Sequence, residues 1–308
     1  MQRFDSYMTE WLYGENGYYT TYKEIGKKGD FYTSVSVSPL FGGSIASYII
    51  SLIDQKRLSA YATICEVGAH KGYLMADVVQ FIYTLRPELL QTLSFCIVER
   101  FDNLQEVQRH YLYESFGDAI KISWVKSLSI LSLEEGFVFA NEIFDAFGAR
   151  VFKEGKEAYV TSEHVVTWEE CEEPLVETGE VACGYEAFAK ELFEAFTRVI
   201  FVTSDYGQMW RRSDISMRLY DNHTTIPFRD FSDLSSYFGR CDITYDVNFE
   251  ELLEIFRSVG FHHQECKEQM RALVDFGLVE LLEKLHHALP YEEYLKEVAK
   301  VKILISPE

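Results

Sequence analysis

From about residue 60 onward, short apolar runs of strand length alternate with stretches whose apolar positions recur at helical spacing. Such alternation predicts an α/β fold built on a doubly wound sheet. Ala62-Thr63-Ile64-Cys65-Glu66-Val67 is a β-prone run that ends at Gly68. After Gly72, Leu74, Val78 and Ile82 share one helical face, and Pro87 forbids the helix from continuing. Leu93 to Val98 is a second apolar run, closed by Glu99. Phe137-Val138-Phe139-Ala140 and Val199-Ile200-Phe201-Val202-Thr203 are two more, each followed by polar residues. Further on, Asn248 with Glu251 forms a capping box for a helix through Ser258, and Gly260 supplies its stop. Val301-Lys302-Ile303-Leu304-Ile305 predicts a closing strand. In open α/β sheets ligands bind beyond the carboxyl ends of the strands, so the polar residues at those ends are the candidates for chemistry.

Two segments stand outside the alternation. Residues 1 to 60, rich in tyrosine and glycine, are expected to form a cap over the sheet edge or the site. The stretch from Trp168 to Glu180, with Glu169, Glu170, Glu172, Glu173, Glu177 and Glu180, is expected to be a solvated loop or helix face.

Composition narrows the partners. The apolar content of 47% suits a packed core, and 29 basic against 49 acidic side chains give a formal charge of −20. That charge repels phosphate backbones and anionic headgroups, which argues against nucleic acid and membrane partners, and it favours cations such as a basic peptide or a sulfonium. The six cysteines, at positions 65, 96, 171, 183, 241 and 266, include no pair at the close spacing of a zinc or redox motif, so no metal is expected. The residues after Met1 do not read as a signal peptide. The apolar stretch from Leu40 to Ile53 falls short of the roughly 20 residues of a membrane helix, so a cytoplasmic protein is expected.

The main chemical signal is Glu66-Val67-Gly68-Ala69-His70-Lys71-Gly72, a strand end, a glycine-bearing loop and a helix start. Gly68 permits the turn off the strand, and Gly72 permits close approach of the helix backbone. The middle glycine of a dinucleotide fingerprint is replaced by His70, and alone the loop is as compatible with a plain strand-to-helix connection as with a cofactor site. Glu99 shifts the balance, because a carboxylate ending the next strand can accept hydrogen bonds from both hydroxyls of an adenosine ribose. Glu66 and Glu99 suit a cationic cofactor better than one bearing phosphate, which points to S-adenosylmethionine. Asn141-Glu142-Ile143-Phe144-Asp145 follows the Phe137 strand. Its carboxylates could hold a guanidinium fork, or Asn141 and Asp145 could cap a following helix. Asp30 and Thr33, in Gly29-Asp30-Phe31-Tyr32-Thr33-Ser34, could close over the cofactor or form a turn and helix cap. Ser204-Asp205-Tyr206-Gly207 reads either as a site edge or as a turn.

Taken in order, these segments resemble the MidA-like family of class I methyltransferases, which includes a mitochondrial assembly factor that methylates a protein arginine. The resemblance starts at Tyr7-Met8, Leu12-Tyr13 and Gly17-Tyr18-Tyr19, then Gly29-Asp30-Phe31, Thr33 and Phe41-Gly42. It continues through Glu66, Gly68 and Gly72, Val98-Glu99, Trp124, and Asn141-Glu142 with Asp145-Ala146. Asp205-Tyr206-Gly207, Asp242-Ile243-Thr244, Val247 and Phe249 complete it. It implies a Rossmann-like seven-stranded sheet within residues 61–308, an N-terminal cap over residues 1–60 and an insertion around 155–195. It also implies S-adenosylmethionine as cofactor, held by Glu66, Gly68, Ala69, Gly72, Glu99, Thr33 and Asp30. The acceptor would be a protein arginine met by Glu142, Asp145 and Asn141, and a homodimer is one assembly open to such a chain. Three departures bear on activity: Val35-Ser36 stands where the family has Pro-Glu, His70 where it has glycine, and Gly148 where it has proline. Val35, Ser36 and His70 motivate the alternative of an assembly or binding protein that kept the fold and lost the reaction. A nicotinamide-dependent oxidoreductase ranks third, lacking the middle glycine.

Overall fold

The computed structural model describes residues 1–20, 34–221 and 224–305. Asp30 and Thr33 lie outside the described residues. The chain forms two compact units, drawn from Tyr32–Asn141, Glu194–Ser204 and Glu265–Glu308 for one, and Met1–Phe31, Glu142–Phe193 and Asp205–Gln264 for the other.

The first unit contains the parallel sheet. Its strands are Thr63–Val67 (β1), Ser94–Val98 (β2), Ile122–Val125 (β3), Leu133–Asn141 (β4) and Phe196–Ser204 (β5). Their order is β5-β4-β1-β2-β3, every pairing parallel. The order reverses between β1 and β4, and the register brings the carboxyl ends level there: Val67 is opposite both Val98 and Ala140, and Thr203 is opposite Ala140. That reversal is the place where open α/β sheets bind ligands. The helices Leu40–Asp54 (α1) and Tyr73–Leu85 (α2) pack together, and Ile45, Ile49, Val78, Val79 and Ile82 share one apolar core with Ile64, Phe95, Ile97, Phe137 and Phe139. The helix Asp102–Phe116 (α3) connects β2 to β3.

Three expectations change. The parallel sheet has five strands among the described residues, where the family resemblance implied seven. The predicted closing strand at 301–305 is the end of a helix, Tyr291–Ile305. Pro290 just ahead of it and the first-turn carboxylates Glu292 and Glu293 favour a helix start, and a short run of β-branched residues cannot by periodicity alone exclude one. The acidic run is solvated at Glu169, Glu170, Glu172, Glu173 and Glu177, but its start is the strand Val166–Glu170 rather than a loop or helix, and Glu180 is half-buried, accepting hydrogen bonds from the Met217 amide at 2.6 Å and from Ser216 Oγ at 3.2 Å.

The second unit is mainly antiparallel. The strands Ala149–Lys153, Lys156–Val160, Val166–Glu170 and Gly179–Ala182 form one sheet with the short strand Gln2–Arg3, and Arg218–Asp221, Thr224–Pro227 and Asp242–Thr244 form another. The helix Phe4–Tyr13 supplies core to this unit: Phe4, Met8, Trp11 and Leu12 pack with Met217, Leu219 and Ile243, and Trp11 Nε1 donates to the Cys241 carbonyl at 2.7 Å. The N-cap half of the capping box is present, with the Asn248 side chain accepting from the Glu251 amide at the start of the helix Phe249–Val259, while the Glu251 carboxylate accepts from Asn248 Nδ2 at 3.3 Å, and Gly260 ends the helix.

Candidate cofactor and acceptor sites

Glu66 is the penultimate residue of β1 and is 3% exposed. Its Oε2 has no hydrogen-bond partner among the described residues, and burial pushes the carboxyl up to about 8 against the downward pull of the Met75 amide. An acidic oxygen buried without a donor is costly unless a ligand supplies one. The loop that follows is left-handed at three positions: Gly68 (φ 71°), His70 (φ 45°) and Gly72 (φ 81°). Close backbone approach, expected for Gly72, is not what selects glycine there. A Cβ would meet Gln108 and Leu112 at an ordinary 3.6 Å, so the positive φ is the requirement. Gly68 N donates to the Val98 carbonyl at 3.0 Å and Gly72 N to the Ala69 carbonyl at 2.7 Å, which closes the turn with Ala69 buried inside it.

Glu99 follows β2 and is 6% exposed. Its Oε1 accepts from the Phe101 amide at 3.1 Å and its Oε2 from Gln108 Nε2 at 3.2 Å. Burial raises this carboxyl above the usual range, while the Phe101 amide and Gln108 oppose that rise. Gln105 Nε2 donates to the Glu99 carbonyl at 2.7 Å. Gln108 also donates to the His70 carbonyl at 2.8 Å and accepts from Trp124 Nε1 at 3.1 Å. None of this glutamine network was visible in the chain's motifs.

Asn141 ends β4 of the first unit, and in the second unit Glu142-Ile143-Phe144-Asp145 leads through a turn directly to the strand Ala149–Lys153. The reading of Asn141 and Asp145 as caps of a following helix is therefore not met. The turn is held by Asp205, whose Oδ2 accepts the Phe144 amide at 2.8 Å and whose Oδ1 accepts the Tyr206 amide at 2.9 Å. Tyr185 and Tyr245 hydroxyls donate to the Phe144 carbonyl at 2.8 and 3.0 Å. Glu142 takes the left-handed conformation, φ 52°, a strained state for a residue with a Cβ. Asp145 is buried at 6% exposure and its Oδ1 has no partner among the described residues. Burial, then the charges of Asp205, Asp242 and Glu142, lift its carboxyl well above the ordinary range. Gly148 has a local reason: a Cβ there would lie 2.6 Å from the Asp5 carbonyl oxygen and 2.5 Å from Thr9 Oγ1, so the helix Phe4–Tyr13 occupies the space a proline ring would need. Val35 packs half-buried against the apolar core of its unit.

Residues 44–181 and 173–266 match the family described as "Putative S-adenosyl-L-methionine-dependent methyltransferase". The chain belongs to this methyltransferase family. It is 27% identical over 156 residues to the mitochondrial protein arginine methyltransferase NDUFAF7 of Rattus norvegicus and 26% identical over 156 residues to that of Homo sapiens. Each match covers 44% of this chain and 36% or 35% of the relative, so the chain matches only about a third of the length of these proteins. A Burkholderia thailandensis protein solved with S-adenosyl-homocysteine bound superposes with a TM-score of 0.80, at 22% identity, over 99% of this chain and 84% of that one. A native crystal structure of a COG1565 superfamily protein from Burkholderia thailandensis gives 0.78, also at 22% identity. The common fold is the content of that likeness.

The family's cofactor is S-adenosylmethionine, and the sheet unit of this chain fits it. Glu66 Oε2 is a buried acceptor without a protein donor among the described residues, and the Glu99 carboxylate, which accepts from the Phe101 and Arg100 amides and from Gln108 Nε2, keeps acceptor capacity for a ribose hydroxyl. The glycine loop between them carries no cluster of cations that would mark a phosphate site. Among the sequence candidates, Glu66, Gly68, Ala69, Gly72 and Glu99 come together at the ends of β1 and β2. Asn141 ends β4, while Glu142 and Asp145 lie with Asp205 and Asp242 in the other unit.

Proposed function

We propose that this methyltransferase acts on a protein arginine, with Glu66, Gly68, Ala69, Gly72 and Glu99 holding S-adenosylmethionine and Glu142 and Asp145 receiving the guanidinium. The observation that carries the acceptor class is the buried, unpartnered Oδ1 of Asp145 among the carboxylates of Asp205, Asp242 and Glu142. Such a cluster is unfavourable by itself and becomes favourable on meeting a cation rich in N–H donors, which a guanidinium supplies in a planar fork. The protein arginine methyltransferase activity of the NDUFAF7 relatives supports the same acceptor.

When bound, the cofactor supplies an electrophilic methyl group on a sulfonium. The chain's own residues position the reactants and manage one proton. Glu99 would hold the ribose, and Glu66, its carboxyl raised by burial, would meet a donor of the cationic ligand. Asp145, whose proton affinity is raised by burial and by three neighbouring acids, is suited to take the proton that the guanidinium nitrogen releases. Asp205 holds the turn that presents Glu142 and Asp145 and takes no part in the proton transfer.

Mass spectrometry of methylarginine in proteins from cells lacking this chain, treated with the purified protein and S-adenosylmethionine, tests the reading. Asp145→Asn and Glu142→Gln are each expected to lower turnover by about 100-fold while S-adenosylhomocysteine still binds. Arginine methylation unchanged by both substitutions, or label found on another residue type, would overturn the acceptor assignment.

A further inference from the structure

We propose that Gln108 is the positioning residue for Glu99, with its amide orientation fixed by Trp124. The proposal rests on the reading of Glu99 as the carboxylate that holds the cofactor ribose.

Gln108 sits on α3 between Leu104 and Leu112, on the helix's buried stripe, and is wholly inaccessible to solvent. An apolar side chain would serve that position if packing were its only task, since burying a carboxamide costs free energy unless every bond is made. Here the bonds are made, and they admit one orientation. Trp124 Nε1 is a donor only, so the amide oxygen must face it, at 3.1 Å. The amide nitrogen then faces two groups that only accept, the His70 carbonyl at 2.8 Å and Glu99 Oε2 at 3.2 Å. A flipped amide would set donor against donor at the indole and acceptor against acceptor at both other partners.

This arrangement serves the cofactor groups in two ways. Oε2 of Glu99 is held by Gln108 while Oε1 is held by the Phe101 amide, so the plane of the carboxylate is set before any ligand arrives. Such prior ordering is a cost that binding need not meet again. The second bond ties the left-handed residue His70 to the same amide, so the loop and the ribose carboxylate are braced by one side chain. Arg100 favours the ionised form of Glu99, and Glu99 in turn helps raise the carboxyl of Glu66. Gln108 adds an uncharged donor on the favourable side.

A double-mutant cycle read by isothermal titration of S-adenosylhomocysteine tests the proposal. Gln108→Met, close in volume and without donors, is expected to weaken binding about tenfold in the wild-type background. In a Glu99→Ala background the same change is expected to cost less than about threefold, because the group it orients is gone. Trp124→Phe, which keeps an aromatic ring and releases the amide, is expected to weaken binding about threefold and to add nothing to Gln108→Met. Should Gln108→Met fail to fold, the cycle of Trp124→Phe with Glu99→Ala carries the same expectation of non-additivity. Losses that simply add, or a Gln108→Met protein that binds as wild type does, would overturn the positioning role. A wild-type protein that takes up no S-adenosylhomocysteine would instead overturn the reading of Glu99 beneath it, a result distinct from additivity.

Discussion

His70 occupies a left-handed conformation that a side chain with a Cβ adopts at a cost of about 1–2 kcal/mol. A glycine there would remove that strain and lose the imidazole, while alanine would keep the strain. His70→Gly is therefore expected to be more stable than His70→Ala by about 1 kcal/mol, measured by urea denaturation, with S-adenosylhomocysteine affinity retained. Equal stability of the two variants would show that φ at this position does not set the cost. Asp145 follows the opposite logic, because its unpartnered buried oxygen and three neighbouring acids make it a liability to the free protein. Asp145→Asn is expected to raise thermal stability of the cofactor-free protein while lowering transfer about 100-fold. Gain of stability with loss of activity separates a site residue from a structural one. A loss of both would instead mark Asp145 as structural.

The turn carrying Glu142 and Asp145 depends on Asp205 more than on its own residues. Asp205→Ala leaves the buried Phe144 amide without its acceptor and is expected to destabilise the fold by about 1–3 kcal/mol, with a lowered denaturation midpoint as the check. An unchanged midpoint would mean that water replaces the carboxylate. Which elements were readable follows from how each is buried. β1, β2 and β4 announce themselves as apolar runs with polar residues at their ends, because strands buried on both faces have no reason to alternate, while β5, half-buried at the end of the strand order, is read from its Val199–Thr203 run. β3 is half-exposed and short, so only Trp124 within it stood out. The helix Tyr291–Ile305 was hidden behind a β-branched tail. In α3 a signal existed that motif reading passed over: Leu104, Gln108 and Leu112 recur at helical spacing, so Gln108 is a polar residue where an apolar one is due. The role of Gly148 was not legible at all, since the atoms that forbid a side chain there belong to residues 5 and 9.

At the scale of the whole molecule, the acidic surplus and the buried acids act together. Glu66 is lifted to about 8, and Asp77, Asp205 and Glu180 each to about 7, all chiefly by burial. A carboxyl whose folded pKa exceeds its unfolded value stabilises the fold fully below the unfolded value. That stability is lost as pH rises through the folded value. The cofactor-free protein is thus expected to melt at lower temperature at pH 8.5 than at pH 6. The increasing negative charge, already −20 at pH 7, works in the same direction. Thermal denaturation across this range checks the sign, and Glu66→Gln is expected to flatten the slope. A melting temperature that rises with pH would contradict the burial of these acids. The comparisons fix the family and the fold. The acceptor rests on one buried oxygen and on relatives matched over about a third of their length.

Isothermal titration of S-adenosylhomocysteine into the wild-type protein and into Glu99→Ala tests the central claim most directly. Saturable binding to one site, weakened tenfold or more by Glu99→Ala, is the result expected from a carboxylate that holds both ribose hydroxyls. Absence of binding at millimolar ligand, or affinity indifferent to Glu99→Ala, would contradict it.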